Sequence, residues 1–321
     1  MWDQSKRRLA LHRDGEYLIR DRIIAEDTSS ELGAHNKGVI ENLIVTLPAG
    51  QVVQAIGRIR HRLDHRSTIC LVNDGLGVAE ALIEAYFQDP LTRPLFVLGH
   101  FSAALGHTNQ MFSVSEVRQG RLYLTAISGQ PRAPGMFPIK RHPPLERTTR
   151  AAHFLGLLTA MPGLHATGHR MDEFLRYKLP TLAFRSIVDP LAALINCSYD
   201  KLRDNMHARH LMDELIGEVS RVVLRLPECR NSERLRQLAS ASSLRDEVLH
   251  KLARKRTADS RMRAQLSHGW DTDIEFLTGY FIRRGRELKV SVATLSSVLH
   301  AVKAKRLVLL KKNETEIPFD I

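Results

Sequence analysis

The chain has 321 residues and 43% hydrophobic content, enough for two domains with a sizeable core. Its formal charge of +12 and isoelectric point of about 9.9 suit a polyanionic partner such as RNA or a ribosome, and also the mitochondrial matrix. No apolar run is long enough to span a membrane. The opening stretch, Met1 to Asp21, is basic but holds several acids and no apolar core, so it reads neither as a signal peptide nor as a transit peptide.

In chain order, Asn42 to Leu47 is a short apolar run that predicts a strand. Pro48-Ala49-Gly50 follows, then an amphipathic helix with Val52, Val53, Ile56 and Ile59 at helical spacing. Ser67 to Val72 predicts a second strand ending at Asn73-Asp74-Gly75. Val78 to Phe87 predicts a helix, and Leu95 to Gly99 a third strand. This alternation predicts parallel strands with crossover helices. Phe112 to Val114 and Arg121 to Ala126 read as a hairpin turning near Gln119-Gly120. The proline-rich stretch 129–145 reads as a linker, which divides the chain into residues 1–145 and 146–321.

Beyond Thr148 the pattern is helical. Leu191–Asn196, Lys201–Leu226, Glu233–Ala258, Ile274–Leu288 and Ser291–Lys305 are amphipathic. Asp189-Pro190 reads as a cap with proline in the first turn, or as a kink. Cys70, Cys197 and Cys229 are scattered and odd in number, which suits reduced, buried thiols. No metal site is expected, and His207 and His210 read as a solvated helix face. A basic run, densest at Lys251-Leu252-Ala253-Arg254-Lys255-Arg256, is the candidate phosphate-contacting surface.

Asp271-Thr272-Asp273-Ile274-Glu275-Phe276-Leu277-Thr278-Gly279, followed by Arg283-Arg284, resembles the helical signature of the ketopantoate reductase (2-dehydropantoate 2-reductase) family. Four further blocks resemble that family in order: Asn42 to Gln51, Leu71 to Gly77, Leu98 to His107, and Thr181 to Cys197. Ser260 lies just before the signature, in a stretch that also resembles it. The resemblance implies an α/β Rossmann-type N-terminal domain followed by an all-α C-terminal domain. The chain contains no Gly-x-Gly-x-x-Gly, so the N-terminal domain is expected to be incomplete.

The family reduces a ketone with hydride from NADPH, using a lysine as general acid and a glutamate in support. The resemblance puts Thr181 at the lysine position and Asp273 at the glutamate position, with Lys178 one helical turn before Thr181. It puts Arg185, Asp189 and Ser260 at or beside substrate-binding positions, and Asn73, Asp74 and Gly75 in the cofactor-side turn. Arg185 either attracts a substrate carboxylate or pairs with Asp189; the ion pair is the expected reading. These substitutions imply a ketopantoate-reductase-like protein with degraded catalysis and no cofactor, carrying a basic surface for RNA or a ribosome. The alternative is NADPH-dependent reduction of 2-dehydropantoate to pantoate in pantothenate synthesis, with NADP as cofactor. A homodimer is left open, as is a cytoplasmic in place of a mitochondrial location.

Overall fold

A computed structural model of the protein describes residues 8–24, 38–127, 145–255 and 259–315, without the side chains of 107, 145–149 and 312–315. The chain divides into two compact units. One takes in the described parts of Met1–Val45, Gln54–Val72 and Ile83–His169. The other takes in Thr46–Val53, Asn73–Leu82 and the described parts of Arg170–Ile321.

The first unit holds two sheets. Strands β1 (Leu9–Arg13) and β2 (Glu16–Arg20) form an antiparallel hairpin. Asp14 and Gly15 both take positive φ (51° and 84°), as a two-residue hairpin turn that matches strand twist requires. This hairpin was not among the elements expected from the sequence. The later strands are β3 (Asn42–Val45), β4 (Thr68–Val72), β5 (Leu95–Phe101), β6 (Ala104–His107), β7 (Ser113–Arg118), β8 (Leu122–Ala126) and β9 (Thr167–Gly168). One sheet has the order β2-β1-β7-β6 and the other β3-β4-β5-β8-β9.

Strands β3, β4 and β5 are parallel, as the alternating pattern predicted. Helices α1 (Ala49–Ile59) and α2 (Val78–Tyr86) lie in the connections between them. The hairpin expected over 112–126 does not form. Strand β7 pairs with β6 and β1, while β8 pairs with β5 and β9. Leu122 and Leu124 belong to a core with Cys70, Val97, Phe154, Leu158 and Ala166. Burying them there outweighs the local turn. Helix α3 (Leu145–Ala160) carries Phe154 and Leu158 into that core. Burial pushes the Cys70 thiol up to about 12, so it is an inert core residue.

The second unit is helical. It contains α4 (Met171–Ile195), α5 (Tyr199–Asp204), α6 (Met206–Arg225), α7 (Pro227–Arg230), α8 (Glu233–Ala239), α9 (Ala241–Arg254), α10 (Arg261–Ser267), α11 (Thr278–Glu287) and α12 (Ala293–Thr315). The stretches predicted as 201–226 and 233–258 are each broken. Asn205 caps α6 by accepting from the Ala208 N–H, and Ser240 caps α9 by accepting from the Ser243 N–H.

Helix α4 is the centre of the unit. Every residue from Leu182 to Ala193 is buried. The helix continues through Pro190, where the sequence predicted a cap or a kink. Proline has no N–H, so the Ser186 carbonyl loses its usual partner. The buried Thr278 hydroxyl donates to that carbonyl at 2.8 Å. At the other end Asn196 takes the left-handed conformation, and Lys305 Nζ donates to the Ala193 and Leu194 carbonyls at 2.7 and 3.0 Å.

The buried Glu218 carboxylate accepts the Thr294 and Leu295 N–H groups at 3.0 and 2.9 Å, closing the N-terminus of α12. Glu218→Ala is expected to lower the unfolding free energy by about 2–4 kcal/mol, because two amide donors lose a charged acceptor. Glu218→Gln, which keeps one acceptor oxygen, should cost less. Urea denaturation of the three proteins checks the order.

Candidate functional site

The polar cluster is assembled inside the second unit from α4, the Asn73-Asp74-Gly75 turn and the segment before α11. Lys178 and Arg185 are seven residues apart on α4, two turns along one face. They meet successive residues of one turn. Lys178 Nζ donates to the Asn73 main-chain oxygen at 2.6 Å, and Arg185 Nη1 pairs with Asp74 Oδ2.

Lys178 is buried, not the surface lysine that a solvated helix face would offer. Burial alone pulls its pKa down to about 7. Thr181, at the family's lysine position, lies on the same helix and is half-buried.

Arg185 also donates from Nε to Asp189 Oδ2 at 3.0 Å, the ion pair expected from the sequence. Asp189 Oδ1 accepts from the Tyr199 hydroxyl at 2.5 Å. Burial works against the Arg185 charge. The Asp189 carboxylate, by charge and hydrogen bond, and then Asp273 outweigh it and hold its pKa above the ordinary arginine value. The Tyr199 hydroxyl is pushed well up, by burial first and then by the Asp189 charge. Tyr199 was not found from the sequence, because nothing in Cys197-Ser198-Tyr199-Asp200 marks a partner ten residues upstream.

Asp273 is buried, and its Oδ1 accepts the Gly50 N–H at 3.0 Å, near the start of α1. A carboxylate at a helix N-terminus is a favourable placement. Ser260 is fully buried. Its hydroxyl donates to the Asp189 main-chain oxygen at 3.3 Å and caps α10 through the Arg263 N–H. Gly75 is required by packing: a Cβ there would fall 2.6 Å from Phe276 Cβ and 2.7 Å from its carbonyl oxygen.

Two observations bear on a nicotinamide dinucleotide. The Asn73 side-chain Nδ2 is a buried donor without a hydrogen-bond partner among the described residues, of a kind that suits a carboxamide or carbonyl oxygen. By contrast, the N-terminus of α1 spends its Gly50 N–H on Asp273, and no Gly-x-Gly-x-x-Gly occurs. The unpartnered donor at this turn is chemically compatible with the amide of a nicotinamide; the described residues offer no glycine-rich cradle for its pyrophosphate.

Lys251 pairs with Glu247 at 3.4 Å, Lys255 Nζ lies 5.1 Å from the Phe184 ring centre, Arg254 is exposed, and Arg256 lies outside the described residues. Among the described residues no group of His, Cys, Asp or Glu could hold a metal ion. No described helix is long and apolar enough to cross a membrane.

Fold and cluster define a two-domain protein that joins a Rossmann-type α/β domain to a C-terminal helical domain. Residues 2–127 match the family model "Ketopantoate reductase PanE/ApbA", and residues 173–306 match its C-terminal counterpart. The chain belongs to the ketopantoate reductase family. It is 23% identical over 260 residues to a probable 2-dehydropantoate 2-reductase of Schizosaccharomyces pombe, covering 80% of this chain and 71% of that protein. Among solved structures it is similar to a D-mandelate dehydrogenase bound to NADH and anilino(oxo)acetate, with TM-score 0.66, 14% identity, and coverage of 96% and 88%. It is also similar to a dimeric ketopantoate reductase from Staphylococcus aureus, with TM-score 0.62, 12% identity, and coverage of 94% and 88%.

Proposed function

We propose that the protein reduces 2-dehydropantoate, or a close 2-keto acid, to the 2-hydroxy acid with NADPH. The observation that carries this is Lys178: a buried ammonium without a carboxylate partner among its described contacts, held at 2.6 Å by the Asn73 carbonyl, with a pKa of about 7. A general acid with its pKa near the working pH delivers a proton most effectively. NADPH, when bound, supplies the hydride that goes to the carbonyl carbon. Lys178 Nζ holds the proton that the ketone oxygen takes up as its negative charge develops. The Asn73 carbonyl fixes the direction of that ammonium, and the Asn73 Nδ2 donor is left for an oxygen acceptor. Asp273, pinned by Gly50, supports the positive charge of the cluster.

This reading departs from the expectation of degraded catalysis. Thr181 carries no acid, but Lys178 lies one turn away on the same helix and is buried in the cluster. The S. pombe relative is named for the same reaction. The formal charge of +12 and the basic run at Lys251 to Arg256 are what speak for an RNA or ribosome partner, and charge alone is not a binding site. A homodimer is the assembly proposed, by analogy with the S. aureus protein.

The test is loss of reduced-nicotinamide absorbance when the purified protein is mixed with NADPH and 2-dehydropantoate. Pantoate formation at a rate proportional to enzyme is expected. No oxidation at any substrate concentration would overturn the reading.

A further inference from the structure

Arg185 is held between two carboxylates that differ in kind. Asp189 is 1% exposed in its side chain, and both its oxygens are engaged, one by Arg185 Nε and the other by Tyr199. It is a fixed part of the interior. Asp74 is 38% exposed, sits on a turn rather than a helix, and occupies the Nη1 edge of the same guanidinium. One cation therefore faces two anions, with the Asp273 charge also acting on it. At the Nη1 edge of Arg185 a substrate carboxylate would meet the carboxylate of Asp74.

From this geometry we infer that Asp74 is a specificity-determining residue: its carboxylate occupies the edge of Arg185 that would otherwise receive the carboxylate of the substrate. An acid that pairs at Nη1 must displace Asp74, and in approaching that edge it meets two like charges. An uncharged carbonyl compound meets no such competition. The assignment rests on the keto-acid reading above and adds to it that the acid's carboxylate is received at Arg185. It predicts that this protein discriminates less in favour of carboxylates than a site with a free arginine would.

The experiment measures binding of pantoate and of its uncharged lactone to the full chain by calorimetry, for the unmodified protein and for Asp74→Asn. The asparagine keeps the shape of the side chain and removes its charge. Pantoate is expected to bind roughly tenfold tighter or more to Asp74→Asn, in line with a released charge-assisted hydrogen bond. Lactone binding is expected to stay unchanged. Asp74→Ser, which removes the carboxylate with a smaller side chain, should move in the same direction and guards against misfolding of the first variant. Adding Arg185→Gln to Asp74→Asn should abolish the gain. Equal pantoate affinity in the unmodified protein and both folded variants, or an equal gain for the lactone, would overturn the assignment. Binding is read without turnover, so a protein that shows the gain yet never oxidises NADPH would refute the proposed reaction and keep the role of Asp74.

Discussion

Replacing Lys178 with methionine is expected to reduce turnover of 2-dehydropantoate by roughly 10²- to 10⁴-fold, the usual contribution of a general acid. Methionine has similar length and fills the buried position without a proton to give. In the unmodified protein the rate should fall as pH rises through about 7, tenfold per unit, because only the ammonium form donates. An undiminished rate in Lys178→Met would remove the lysine from the chemistry.

The same residue sets a pH dependence of stability whose sign is fixed by burial. The folded-state pKa of about 7 lies below the ordinary 10.5. Between those values the unfolded chain holds a proton that the folded chain has released. Stability is therefore expected to rise with pH across that window, by up to about 1.4 kcal/mol per unit, and to show no slope from this group below it. In Lys178→Met that component should vanish. Urea midpoints at several pH values, compared between the two proteins, measure it.

Asp189→Ala is expected to be the most destabilising single change in the cluster, lowering the unfolding free energy by about 3–5 kcal/mol. It strips the buried Arg185 of its interior partner and leaves the Tyr199 hydroxyl without its acceptor. Tyr199→Phe, which removes one hydrogen bond to a charged group, should cost about 1.5–3 kcal/mol. The combination Asp189→Leu with Arg185→Met should be milder than Asp189→Ala alone, because an apolar pair replaces the ion pair instead of orphaning half of it. If the double replacement is the worse of the two, the penalty is not that of an uncompensated buried charge.

Much of the architecture is carried by local sequence. The β-branched runs at Asn42–Val45, Thr68–Val72 and Leu95–Phe101, separated by amphipathic helices, are legible as parallel strands without any structure. The Asp14-Gly15 hairpin was missed, although Asp-Gly is a residue pair that such a turn favours. The signature around Asp273 to Gly279 identifies the helical domain by its order of residue types. These features are short-range: they depend on backbone preference and on which face of one element is apolar.

What the sequence could not decide was which polar groups would be buried together. Periodicity places Lys178, Arg185 and Asp189 on one side of α4, yet a solvated face would look the same. Their burial follows from contacts with Asn73, Asp74 and Tyr199, of which the first two lie over a hundred residues away in sequence. Pro190 reads locally as a helix cap or a kink. Thr278, 88 positions on in the numbering, keeps the helix whole by serving the carbonyl that the proline leaves free. Strands β7 and β8 read as one hairpin and joined different sheets, because burying Leu122 and Leu124 beside Cys70 and Phe154 outweighs a local turn. The sequence by itself determined the parallel strands β3 to β5 with their connecting helices, and the family. Only the tertiary structure decided the burial of Lys178 and the pairing of Arg185 with Asp74, since both depend on segments distant along the chain.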